Sequence, residues 1–315
     1  MIQCHPATRS RGLKNSHYTV VDPEIPRSSR GMTVMGKFRS FFELIKFEHT
    51  VFALPFAYLG MLLAKRSIPN FRVFFWITMA MVGARTAGMT LNRIIDRPMD
   101  SKNPRTKNRP SVTGEISSVV TWLAVVISFV LFFISTFNLN PLCFKASFVA
   151  IVFLSGYHYV KRFSFLCHFV LGIVLAMAPI GGWMAVTGHF SPEPVWLSLA
   201  VCFWVAGFDI IYSLQDMEFD RHYGLHSIPA RFGALPALKS AAGCHAATVL
   251  FLLVFGWTAH LGIVYWAGIV VVGVLLGFEH SLVEKGNLTK IDAAFFTVNS
   301  WVGVLLLVFT FLEIL

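Results

Sequence analysis

Asn92-Arg93-Ile94-Ile95-Asp96-Arg97-Pro98-Met99-Asp100 ends one long apolar stretch of the chain. Asp209-Ile210-Ile211-Tyr212-Ser213-Leu214-Gln215-Asp216-Met217-Glu218-Phe219-Asp220 ends another, four apolar stretches further on. In each, two carboxylates stand four residues apart: Asp96 with Asp100, and Asp216 with Asp220. On one helix that spacing stacks them on a single face, where like charges repel unless a cation lies between them. Mg²⁺ suits such a place, because it takes one or two carboxylates and completes its octahedron with water and substrate phosphates. Asn92 extends the first series by one more turn and offers a neutral oxygen, so the expected metal ligands are Asn92, Asp96, Asp100, Asp216 and Asp220. Two facing sites of this kind would hold a diphosphate between them, which points to diphosphate chemistry on a membrane-embedded substrate.

The composition sets the solvent. Of 315 residues, 56% are hydrophobic and 13% charged, against roughly 45–50% and about 25% in soluble domains. The expectation is an all-α integral membrane bundle surrounded by lipid. Nine spans are read, at about 49–64, 71–92, 117–137, 141–159, 164–187, 194–214, 239–258, 261–278 and 293–313, each near the roughly 20 residues a crossing requires. The seventh and eighth are almost contiguous and should form a tight hairpin. Pro55 and Pro179 fall inside spans and should bend them. Aligning Asp96 with Asp216 also aligns Asp100 with Asp220, so the bundle reads as two four-helix repeats plus a ninth helix. An even shift keeps both copies parallel, unlike the inverted repeats of many transporters.

The net charge of +10 is a statement about loops, not about nucleic acid. Outside the membrane on the far side lie only Lys65, Arg66, Arg72 and Lys145, and Arg85 lies within a span; all other Lys and Arg fall on the side of the N-terminus. The positive-inside rule then places the N-terminus and both aspartate clusters in the cytoplasm. Residues 1–35 are polar, without an apolar core, and are expected to be disordered; residues 36–315 form the transmembrane domain, opening with an amphipathic surface helix over 36–47. Five cysteines show no metal or disulfide spacing, and the four in apolar segments, Cys143, Cys167, Cys202 and Cys244, read as small buried hydrophobes.

Further groups flank the clusters. Asp209 precedes Asp216 by seven residues and lies deeper, where a carboxylate faces a cavity or pays heavily. It is a metal ligand, an orienter of the acceptor or a general base, or else a partner for a buried group such as Arg85. Tyr157 and Lys161 share a helix face at the end of the fourth span, with Lys161 a point charge for diphosphate. Arg105, Arg109 and Arg162 are candidates to clamp the leaving diphosphate. Residues 224–233 follow the second cluster and are expected to close over the site and exclude water. The eleven histidines show no zinc-like spacing and read as surface or packing residues.

Taken together, Asn92-xxx-Asp96-xxx-Asp100, Tyr157-xxx-Lys161 and Asp209-x6-Asp216-xxx-Asp220 resemble the UbiA-type membrane prenyltransferases, over about residues 38–313. The segments 46–56 and 207–212 are similar to the 4-hydroxybenzoate polyprenyltransferase branch, itself close to prenyltransferases of the futalosine route to menaquinone. One departure stands out: many relatives carry Asn-Asp where this chain has Asn92-Arg93. The resemblance implies Mg²⁺ as cofactor and a polyprenyl diphosphate and an aromatic acceptor as substrates. The acceptor would be 4-hydroxybenzoate or a dihydroxynaphthoate, in ubiquinone or menaquinone synthesis at a bacterial inner membrane. The competing class is a transporter, which would prefer its charges at the midplane.

Overall fold

The computed structural model describes residues 50–67, 69–283 and 298–315, together with Ser40 and Leu44. The expected disordered segment 1–35 lies outside the described residues, as does the 36–47 surface helix apart from Ser40 and Leu44, which are helical. Long helices dominate: α1 (Thr50–Lys65), α2 (Phe71–Ile95), α3 (Ser118–Leu139), α4 (Pro141–Val160), α5 (Cys167–Thr187), α6 (Glu193–Ser213), α7 (Ala234–Thr258), α8 (Ile263–Val283) and α9 (Asn299–Ile314). Six of them, α3 to α8, are long and apolar enough to cross a membrane, and α1 and α9 are shorter apolar helices. The chain is an integral membrane protein.

Local chemistry marks the ends of these helices. Asn70, Ser117 and Asn140 each accept a backbone N–H of the first turn of α2, α3 and α4, the usual way to satisfy a donor with no intrahelical partner. Pro141 at the start of α4 costs nothing there, since that N–H would be unpaired anyway. Gly188 ends α5 at φ 73°, a left-handed conformation in which a side chain would be strained. The expected hairpin is present: α7 and α8 are joined by residues 259–262, where the Leu261 N–H donates to the Gly256 carbonyl.

The helices approach closely where side chains are small. A methyl on Gly60 would lie 2.0 Å from the Pro179 carbonyl oxygen, and one on Gly182 would lie 2.1 Å from that of Ala57. Backbone contact through glycine is how membrane helices gain dispersion without a hydrophobic drive, and it locks α1 to α5. Helix α2 packs extensively on α3, and α6 on α7, the same positions in the two proposed repeats. Helix α6 is the enclosed one, with Leu197, Val201, Trp204, Val205 and Phe208 in a core shared with Phe56, Phe255, Tyr265 and Leu306. By contrast Trp122, Ile127, Val152, Ile263 and Val274 are exposed, a surface that suits acyl chains and not water.

One expectation is corrected. The aspartates of each cluster do not ride a single continuous helix. Helix α2 stops at Ile95, and Asp96 (φ −91°, ψ −2°) opens a separate short helix, Arg97–Asp100. Pro98 has no N–H to continue the ladder of α2. In the second cluster α6 tightens into a 3₁₀ turn, Leu214–Asp216, and Asp216 (φ −102°, ψ 6°) opens Met217–Tyr223. Asp96 and Asp216 therefore occupy the same backbone position, in the sparsely populated bridge region where active-site residues recur.

Candidate active site

Every residue singled out in the sequence lines one cavity of about 630 Å³: Asn92, Asp96, Asp100, Arg105, Arg109, Tyr157, Lys161, Arg162, Asp209, Asp216 and Asp220. The loop 101–109 and the short helices after α2 and α6 form its mouth. A second, apolar cavity of about 410 Å³ lies between α1, α2, α3, α4 and α5, lined by residues such as Ala57, Ile77, Met81, Phe132 and Leu154. Arg85, Tyr157 and Leu175 line both, so the polar and apolar chambers meet there.

Asp100, Asp216 and Asp220 are each held by a cation. Arg105 forks onto Asp216, with Nε donating to Oδ1 at 3.0 Å and Nη2 donating to Oδ2, while its Nη1 donates to the Tyr212 hydroxyl at 2.8 Å. Asn103 Nδ2 adds a bond to Asp216 Oδ1 at 2.8 Å. Arg109 Nη1 lies 2.7 and 2.6 Å from the two oxygens of Asp100. Lys161 Nζ sits 2.9 Å from Asp220 Oδ1, and Ser227 Oγ donates to Asp220 Oδ2 at 2.8 Å. Asp96 has the weakest support. Asn92 Nδ2 donates to it at 2.7 Å, but Arg162 stands 3.8 Å away and gives its hydrogen bond to the Ile95 carbonyl instead.

The ionisation follows from these contacts. Burial raises the Asp96 carboxyl to about 6, and the nearby Asp100 charge adds to that, against Lys161 and Arg162. For Lys161 burial alone would lower the value, but the Asp220 carboxylate outweighs it and the ammonium is held above its ordinary range. Arg105 behaves alike: burial opposes the charge, and the bonds to Asp216 overcome it. Asp100, Asp216 and Asp220 are each drawn to a cation, and among the described residues no group of three or more His, Cys, Asp or Glu side chains is gathered for a metal. The expected five-ligand set therefore shares a cavity without being drawn together.

Other outcomes differ from the sequence reading. Asp209 is not partnered by Arg85. Its Oδ2 lies 2.7 Å from His168 Nδ1, so a histidine read as a packing residue belongs to the site. Nothing in the local sequence marks His168; only its place at the start of α5, at the mouth of an uncharged span, hinted at it. Arg93 is buried and ties α2 to the segment before α1, donating from Nε to the Leu44 carbonyl at 3.2 Å.

The UbiA prenyltransferase family model matches residues 53–301. The chain belongs to that family. It is a membrane prenyltransferase. Similar curated proteins include the 4-hydroxybenzoate octaprenyltransferase of Shewanella woodyi, 29% identical over 281 residues and covering 88% of this chain and 97% of that one. The counterpart in Shewanella oneidensis is 30% identical over 251 residues, covering 79% and 87%. Among solved structures, the apo form of a UbiA homologue from Aeropyrum pernix K1 is 32% identical, covers 85% of this chain and 98% of that one, and superposes with a TM-score of 0.79. A homologue from Archaeoglobus fulgidus, bound to GPP and Mg²⁺, shares the fold at 20% identity and a TM-score of 0.65, covering 87% and 99%.

Proposed function

We propose that this UbiA-family enzyme transfers a polyprenyl group from its diphosphate to a ring carbon of a 4-hydroxybenzoate-like aromatic acceptor. The observation that carries the reading is the joining of two chambers at Arg85 and Tyr157: one lined by carboxylates and cations, the other apolar. A prenyl diphosphate has that polarity pattern. The name shared by the curated relatives supports the acceptor class, and the GPP and Mg²⁺ of the Archaeoglobus homologue agree with the donor and the metal.

The donor set fits Mg²⁺. Carboxylate and amide oxygens from Asn92, Asp96, Asp100, Asp216 and Asp220 are the hard ligands this ion takes. When bound, the ion supplies charge neutralisation and polarises phosphoryl oxygen. Arg105, Arg109 and Lys161, the cations that rest on Asp216, Asp100 and Asp220, line the same cavity and would face the diphosphate. Arg105 and Arg109 present forked donors that match phosphate geometry, and Lys161 offers a point charge where negative charge grows on the departing diphosphate. The C1–O bond of the allylic donor breaks, the ring carbon bonds to C1, and the ring proton passes to Asp209. Tyr157 stands at the junction where the allylic carbon would lie, and aromatic faces favour developing positive charge. Arg85 Nε is buried with no hydrogen-bond partner among the described residues, a donor suited to the acceptor's carboxylate.

The loop charges support a cytoplasmic face for the site, and a Lys107→Cys variant that resists an impermeant thiol reagent in intact cells is the expected result. For the reaction, membranes receive labelled polyprenyl diphosphate with Mg²⁺ or EDTA and a panel of 4-hydroxybenzoate and dihydroxynaphthoates. A prenylated lipid that disappears with EDTA is the expected result, with 4-hydroxybenzoate the best acceptor. Product only from a dihydroxynaphthoate would move the enzyme to menaquinone synthesis, and product from neither would refute the aromatic assignment.

A further inference from the structure

His168 is almost wholly enclosed, with 1% of its surface exposed, and both ring nitrogens are committed. Nε2 lies 3.2 Å from the backbone nitrogen of Ile228. That N–H can only donate, so Nε2 must be the lone-pair nitrogen and the ring proton sits on Nδ1. Nδ1–H therefore donates to Asp209 Oδ2 at 2.7 Å. Asp209 keeps a quarter of its side-chain surface open to the cavity that it lines. One oxygen is thus fixed from behind while the rest of the carboxylate faces the substrate space.

The backbone that sets this tautomer is itself tied to the site. Ile228 opens the short helix Ile228–Phe232, whose N-cap is Ser227, and Ser227 Oγ donates to Asp220. Two residues earlier, the His226 N–H donates to the Lys161 carbonyl at 2.7 Å, and the His226 carbonyl accepts from Cys167 Sγ at 3.4 Å. One segment therefore fixes Asp220 directly and Asp209 through an imidazole.

We propose that His168 is a positioning residue for the prenyl transfer, a neutral Nδ1–H imidazole that aims Asp209 at the acceptor and ties that aim to the 226–228 segment. It rests on the reading of Asp209 as the base that receives the ring proton. A base oriented by a third group behind it is a recurring catalytic arrangement, and no metal or additional reactant is needed for it.

Two measurements test the proposal. The first needs no turnover: ¹⁵N-histidine-labelled protein in detergent, with the His168 signal assigned by its loss in His168→Asn. A pyridine-type Nε2 and a protonated Nδ1 are expected; an Nε2–H or doubly protonated ring overturns the assignment. The second compares His168→Phe and His168→Asn in wild-type and Asp209→Asn backgrounds, after thermal melts show that each variant is folded. His168→Phe should lower kcat on the order of tenfold to a hundredfold, the usual cost of losing a hydrogen bond to a charged group, with KM for the prenyl diphosphate unchanged. His168→Asn, which keeps a donor near the Nδ1 position, should recover most of that rate, and His168→Phe should cost nothing more once Asp209 is Asn. An equal loss in both backgrounds would show that His168 acts by another route. Wild-type protein that prenylates no aromatic acceptor would sink the proposed function and with it the positioning role, while the ring nitrogens would still decide whether His168 donates from Nδ1 to Asp209.

Discussion

The two aspartate clusters share a backbone and differ in what holds them. Asp96 and Asp216 both sit at the break between a long helix and a short one, with nearly equal φ and ψ. The first cluster is held locally: Asn92 serves Asp96 from the turn before, and Arg109 serves Asp100 from the following loop. The second takes its cations, Arg105 and Lys161, from the other half of the chain, with Asn103 reaching across beside them, while Ser227 serves it locally. The two halves share the geometry that presents a carboxylate and differ in its partners. As a result Asp216 is firmly neutralised, whereas Asp96 is left mainly to burial.

The largest test removes one carboxylate from each half. Asp96→Ala and Asp216→Ala should each lower turnover by about 10²- to 10³-fold or more, in protein that still inserts into membranes, as measured by product formation and by membrane fractionation. Near-normal rate in either variant would break the equivalence of the halves. Next come the clamps. Arg105→Ala should raise KM for the prenyl diphosphate on the order of tenfold to a hundredfold and exceed Arg109→Ala, because Arg105 bridges the halves. Titration separates the clusters further. Asp96 holds its proton up to about 6, above its unfolded value of about 3.9, so ionising it costs folded protein free energy that a bound cation offsets. Mg²⁺ affinity by calorimetry should therefore weaken as pH falls through about 6, and Asp96→Asn should remove that pH dependence. The smallest effect is expected from Ser227→Ala, which takes one neutral donor from Asp220 and should cost roughly two- to tenfold in rate.

Much of this was legible in the sequence because the signals were local. Apolar runs bounded by charges place helices to within a few residues, and repeated spacings pick out side chains that all line one cavity. Two things were not local. The break at Asp216 has no proline or glycine to announce it; it arises where the buried α6 leaves the core and its last turn tightens. The pairing of His168 with Asp209 joins residues of different helices, and an isolated histidine in an apolar span carries no periodic pattern. The exchange of Arg85 for His168 as the partner of Asp209 is of the same kind, since burial says that a carboxylate needs a partner and not which one arrives.

The crossing of Asn103 and Arg105 onto Asp216 also dictates an order of assembly. A ribosome releases the first four helices and the 101–109 loop well before Asp216 has been synthesised. During that interval Arg105 and Lys161 lack Asp216 and Asp220, the carboxylates they pair with in the folded protein. The site is therefore completed late in biogenesis, when the second half docks on the first and brings Asp216 and Asp220 to the waiting cations.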